Sequence, residues 1–295
     1  MTVRLTNLLA GAALGVSLLA VPTPSIAFET AASVASKINI AGRQRMLTQR
    51  MTKAACFASL DVFEQSHRQQ LLDAQALFDH SLIDLKRGKD ELNLQPETSK
   101  RVLYALDKVT KIWQPVQIAI QPVINGATVD KSVVEMFAEV NMPLLKTSNK
   151  AVGLMERTYV QDTGDKAENR ALNYAGAQRM LSQRIAKDLC FIAAGIDTEA
   201  SRIDLFASAA TFEKRQQQLV EGDAVGKVAA PKPATHQALL EASKAWEVMK
   251  PEIEKLKAGG TPTTEDLEKV AKASEELLKL ANNAVQVMEG AQPES

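Results

Sequence analysis

Beyond residue 30, apolar positions recur every three or four residues, and that spacing predicts helices. Leu71, Ala74, Phe78, Leu82 and Leu85 form one stripe. Val102, Leu106, Val109, Trp113, Val116 and Ile120 form another, and Val133, Phe137, Val140, Leu144, Ala151 and Met155 a third. A helix with one such stripe hides that face in a bundle. A first helix reads over 30–60. Pro115 and Pro122 predict a kink or an early end in the third helix, because proline lacks the N–H that the ladder needs. Breaks fall at 87–96 and at Asn125 and Gly126, then again at 222–235 and at 259–262. Each helix is about 25 residues, or roughly 37 Å at ~1.5 Å per residue. No segment alternates with period two, and aromatics are only 4%, so strands have little to form from. The fold class expected is all-α.

The chain repeats itself. Residues 38–57 (INIAGRQRMLTQRMTKAACF) and 172–191 (LNYAGAQRMLSQRIAKDLCF) align without gaps at 12 of 20 identical positions, at an offset of 134. The register holds through Leu71 with Leu205 and Phe78 with Phe212. It slips by one residue to pair Trp113 with Trp246 and residues 144–156 with 277–289. A repeat of this length implies two copies of one four-helix unit. The expected units are 28–160 and 161–295, with a polar junction at 161–166 (QDTGDK).

Residues 1–27 read as a cleaved signal peptide. Arg4 supplies the positive charge, an apolar run extends from Leu8 to Val21, and Ser25-Ile26-Ala27 fits a small-x-small cleavage site. The alternative is an uncleaved anchor, for which the run is short. A soluble protein in the periplasm of a Gram-negative host is expected, a compartment that permits disulfides. Lys+Arg and Asp+Glu both number 35, so no global field attracts nucleic acid or an acidic membrane. The basic run Lys86-Arg87-Gly88-Lys89 is too short to change that.

The repeated segment carries the candidate chemistry. Placed on a helix at about 100° per residue, Ile40, Leu47, Met51, Ala54 and Ala58 share one side. Gly42, Arg45, Gln49, Thr52 and Cys56 share the other, matched by Gly176, Arg179, Gln183, Ala186 and Cys190. The better preserved face is therefore the one turned away from the local core. Its expected use is a contact between the two copies around a pseudo-two-fold axis. Gly42 and Gly176 would allow close helix approach, and Arg45 and Arg179 would converge. Two facing guanidiniums need a negative partner, and a planar oxyanion fits their forked donors. Carboxylates of neighbouring helices would serve the same need. Asp188, which replaces Ala54, has no explanation at this level.

These residues carry a resemblance. Ile38 to Arg50, and again Asn173 to Arg184, resemble the opening helix of the sensor domain shared by nitrate/nitrite sensor kinases of the NarX/NarQ type and chemotaxis transducers of the PilJ type. The resemblance implies a periplasmic four-helix sensor unit. It also implies an anion, nitrate or nitrite, held on a two-fold axis by one arginine from each partner, with a glycine one turn earlier. By motif position these are Arg45 and Arg179, with Gly42 and Gly176. Gln49 and Gln183 would complete the polar lining. The Gln-Arg-Met-Leu-Ser/Thr-Gln-Arg wording is closer to the PilJ-type branch. Kinases and transducers also carry membrane-spanning and cytoplasmic parts, so a membrane-bound signalling or transport partner is expected to read the signal. Arg43 in one copy is Ala177 in the other, which makes the expected site asymmetric.

Cys56 and Cys190 lie on the arginine face, about three turns on. They are either a disulfide or a pair of small buried residues. Two cysteines and the scattered His67, His80 and His236 show no metal-ligand spacing. No phosphate loop, nucleophile elbow or HExxH motif occurs, so neither catalysis nor a cofactor is expected. The rival to a small-anion sensor is a ligand-free interaction module of a pilus or envelope complex. Pairing of the two motifs within one chain or across a homodimer is left open.

Overall fold

The computed structural model describes residues 31–159, 166–223, 225 and 227–290. The expected signal peptide and the polar junction lie outside them, apart from the last junction residue, Lys166. Among the described residues the fold is all-α, as the periodicity predicts, with no strand beyond an isolated bridge between Lys89 and Leu94.

The first unit comprises α1 (Ala31–Ser59), α2 (Glu64–Arg87), α3 (Lys100–Ala119), the single turn α4 (Gln121–Ile124) and α5 (Lys131–Tyr159). The second comprises α6 (Lys166–Ala194), α7 (Thr198–Glu221), α8 (Pro233–Lys257) and α9 (Thr264–Met288). Pro115 sits inside α3, which stops at Ala119, and Pro122 opens α4. Gly88 ends α2 with φ near +80°, where an added Cβ would lie 2.7 Å from the Pro96 nitrogen. Only glycine fits that turn. Thr263 and Asp266 form a reciprocal capping box that starts α9.

Within each unit the first helix packs against the second and the last (α1 on α2 and α5, α6 on α7 and α9). The third helix closes the bundle against the last. Phe78 packs tilted against Trp113 and Phe212 against Trp246, ring centroids 4.8 and 4.6 Å apart, so the aromatic layer is duplicated too. The units join through α1 against α6. Both faces of these helices are consequently buried, and one apolar cluster runs from Ile40 in the first unit to Leu278 in the second. That is why these helices, unlike α5 or α9, carry no single polar face.

Candidate functional site

Helices α1 and α6 run side by side in the same direction. Asn39 meets Arg179 near one end, and Cys56 meets Cys190 further along. The cysteines form a disulfide, with Cα atoms 6.2 Å apart and a sequence separation of 134. Equivalent positions of the two copies thus touch, which places the pseudo-two-fold axis beside this bond.

About three turns before the cysteines, Arg45 and Arg179 are bound in matching ways. Arg45 Nη1 donates to Asn149 Oδ1 at 3.0 Å, and Arg179 Nη1 donates to Asn282 Oδ1 at 3.1 Å. Asn149 and Asn282 are equivalent residues of α5 and α9. Arg179 Nη2 also donates to Asn39 Oδ1 across the interface at 2.9 Å, and Asn39 Nδ2 continues to Glu289 at 2.8 Å. Arg179 is buried, and its Nε is buried without a partner. Arg45 is half-buried, and Asn149 lies exposed at the rim.

The electrostatics are also paired. Burial lowers the Arg45 pKa, with Glu156 opposing and Arg215 reinforcing. Burial lowers Arg179 to about 10, with Glu289 opposing and Arg45 and Arg43 reinforcing. Glu156 and Glu289 are again equivalent residues, and burial raises both. Neither arginine makes an ion pair with them among the described residues. Carboxylates therefore stand near, yet the guanidiniums bond only to neutral amide and peptide oxygens. The expected asymmetry at Arg43 and Ala177 is offset as well. Arg215 stands where the first copy has Ser81, the residue Arg43 reaches at 3.4 Å. Each unit thus adds a second guanidinium, from α1 in one and from α7 in the other. Asn39, Asn149, Asn282, Arg215, Glu156 and Glu289 escaped the sequence reading, although the matching Asn and Glu of 144–156 and 277–289 were in view.

Two expectations need correction. Gly42 and Gly176 do not serve close approach of the two helices. An added Cβ would meet its own arginine, Arg45 Nη2 at 3.4 Å or Arg179 Nη2 at 3.6 Å, and no atom of the partner helix within 4 Å. The glycines make room for a guanidinium folded back over its own helix. Gln49 and Gln183 are fully buried but turn their donors away. Gln49 donates to Thr48 Oγ1, and Gln183 donates to Ser182 Oγ and the Ser274 carbonyl. Their unpartnered atoms are the carbonyl oxygens, which repel an anion. The other motif glutamines, Gln44 and Gln178, donate to the Phe78 and Phe212 carbonyls at 3.0 Å and tie the first helix to the second. Part of the repeated motif is therefore bundle assembly.

Inside the first bundle a cavity of about 10 Å³ is bordered by Gln44 Oε1 and Ser148 Oγ, both unpartnered. It has room for about one water. Among the described residues no three metal-ligating side chains cluster, and no helix is long and apolar enough to cross a membrane.

The family model described as the N-terminal region of type IV pili methyl-accepting chemotaxis transducers (PilJ) matches residues 26–135 and 163–274. No curated protein and no solved structure matches the chain.

Proposed function

The chain belongs to the PilJ family of sensory transducer domains, in two tandem copies, and we propose that it is a periplasmic sensor holding one small monovalent oxyanion between those copies. That family is sensory and not catalytic. Nitrate or nitrite is the ligand of choice, because a planar oxyanion matches the forked donors of two guanidiniums. One observation carries the reading. Arg179 is buried and Arg45 half-buried beside the contact of α1 with α6, with Arg43 and Arg215 near, and both are bonded to neutral oxygens. Asn149 and Asn282 keep amide N–H groups to add to the clamp. Occupancy would favour one arrangement of α1 against α6, and a membrane-bound partner would read it.

A second reading is a ligand-free assembly module. Glu156 and Glu289 favour it, because they already offset part of the positive charge. Calorimetric titration with nitrate, with chloride and sulfate as controls, separates the two. The anion reading expects one saturable site per chain, weakened at least tenfold by Arg45→Ala and by Arg179→Ala. No heat and no thermal stabilisation with any of these anions would leave the assembly module.

A further inference from the structure

A groove lies apart from the arginine pair, and its residues in the first copy differ from their counterparts in the second. A surface groove of about 530 Å³ runs between α2 of the first unit and α9 of the second. Phe63, His67, Gln70, Lys272, Glu276 and Lys279 line it. That volume is in the range of sites that take small molecules.

His67 is only 1% exposed. Its Nδ1 lies 2.6 Å from the Val62 carbonyl, so Nδ1 carries the proton and Nε2 is a bare acceptor. Nε2 is buried and unpartnered, as is Gln70 Oε1. Burial, with help from Lys53, lowers the His67 pKa to about 4, so the ring is neutral at pH 7. Unmet buried acceptors cost stability unless a donor reaches them. At the mouth, Lys272 and Lys279 are exposed and make no ion pair among the described residues, and Lys272 Nζ rests 4.7 Å over the Phe63 ring. Glu275 is committed to Lys53 and Arg50 at 2.5 and 2.6 Å. The free charges are thus two ammonium groups against Glu276.

The second copy shows what this position does without a site. Ser201 replaces His67 and satisfies the equivalent Ile196 carbonyl at 3.2 Å. Asp204 replaces Gln70 and pairs with Arg184 at 2.9 Å. Asp197 replaces Phe63, and both adopt positive φ, 39° and 47°. Aspartate tolerates that backbone, whereas a bulky aromatic is strained in it. The first copy keeps a strained aromatic and two orphaned acceptors where the second has a hydroxyl donor and an ion pair.

We propose that this groove binds a small organic acid that carries a hydroxyl or ammonium group beside its carboxylate. The donor would reach His67 Nε2 and Gln70, and the carboxylate would meet Lys272 and Lys279. The test is calorimetric titration with L-malate and L-glutamate in nitrate-free buffer, with succinate, which lacks the donor, as control. Arg45→Ala with Arg179→Ala removes the other anion site and should leave this binding unchanged, which keeps the result independent of the arginine pair. His67→Ser is the informative variant, because Ser201 already shows that serine holds the carbonyl at this position. Lys272→Ala is a surface change that leaves the bundle packing alone. One malate or glutamate per chain, with succinate at least tenfold weaker and both variants at least tenfold weaker, is the expected result. Absence of binding to the unaltered protein, equal binding of succinate, or unaltered affinity in either variant would overturn the proposal.

Discussion

Lys53 and Lys187 occupy the same position in the two copies, yet they are neutralised from different places. Both are buried, and both reach the last helix of the other unit. Lys53 meets Ser274 and Glu275 in α9, and Lys187 meets Asn141 in α5. Lys53 draws its countercharge across the interface from Glu275 at 2.5 Å. Lys187 draws it from its own helix, from Asp188 at 2.8 Å. Asp188 stands where the first copy has Ala54, and Glu275 stands where it has Met142. A buried ammonium requires a carboxylate, but that requirement does not specify the helix supplying it. Divergence therefore moved the acid while the lysine stayed. The move has a consequence: one ion pair couples the units and the other is local.

The largest expected effect comes from cutting the copies apart where they are most alike. Replacing Cys56 and Cys190 together by alanine should cost about 2–4 kcal/mol in denaturant unfolding, since the bond closes a long loop in the unfolded chain. An unchanged midpoint would mean that packing of α1 on α6 alone holds the units.

Next is the interface ion pair. Glu275→Gln should cost about 2–3 kcal/mol, by leaving the buried Lys53 and the half-buried Arg50 without a carboxylate. Adding Ala54→Asp gives the first copy the solution of the second and should recover at least half of that loss. No recovery would show that Lys53 needs its partner across the interface.

The local pair should reveal itself through pH. Burial raises Asp188 from 3.8 to about 6, against the pull of Lys187 and Arg184. Its folded-state pKa lies above its unfolded one. Its contribution is therefore full below pH 3.8 and is lost as pH rises through about 6, on the order of 3 kcal/mol. Lys53 is lowered from 10.5 to about 8, so its contribution is full above 10.5 and is lost as pH falls through 8. Asp188→Asn should flatten the stability profile between pH 4 and 7 and leave the alkaline limb. Persistence of the acid slope in that variant would assign it to another carboxylate.

The smallest effect concerns the glycines. Alanine gains about 0.5–1 kcal/mol over glycine in a helix interior. At Gly42 the new methyl would touch the Arg45 guanidinium at 3.4 Å, a flexible group that can give. Gly42→Ala should stay within about 1 kcal/mol of the unaltered protein and weaken nitrate binding more than stability. A large loss of stability would restore the close-approach role.

Most of the fold was legible because helix periodicity and duplication are local properties of the chain. The stripes placed α2, α3 and α5, the repeat carried them into the second copy, the breaks fell at Gly and Pro, and the repeat made Arg45 the counterpart of Arg179 and Cys56 that of Cys190. A face preserved in both copies but turned from the local core requires a partner, and the other copy was the nearest one. What a given side chain bonds to was not legible, because it depends on which helices converge. Glycine is permissive in sequence, and only the folded chain shows the guanidinium above it. Glutamine is ambiguous in sequence, and only the Ser274 carbonyl turns Gln183 away from the axis. Asp188 had no reason until Lys187 was seen buried beside it, and His67 read as a scattered histidine until α9 was laid across its groove. Periodicity determines which residues share a helix face. The address of each polar partner is set by packing between segments up to 250 residues apart, as Asn39 and Glu289 are, and no local pattern encodes that distance.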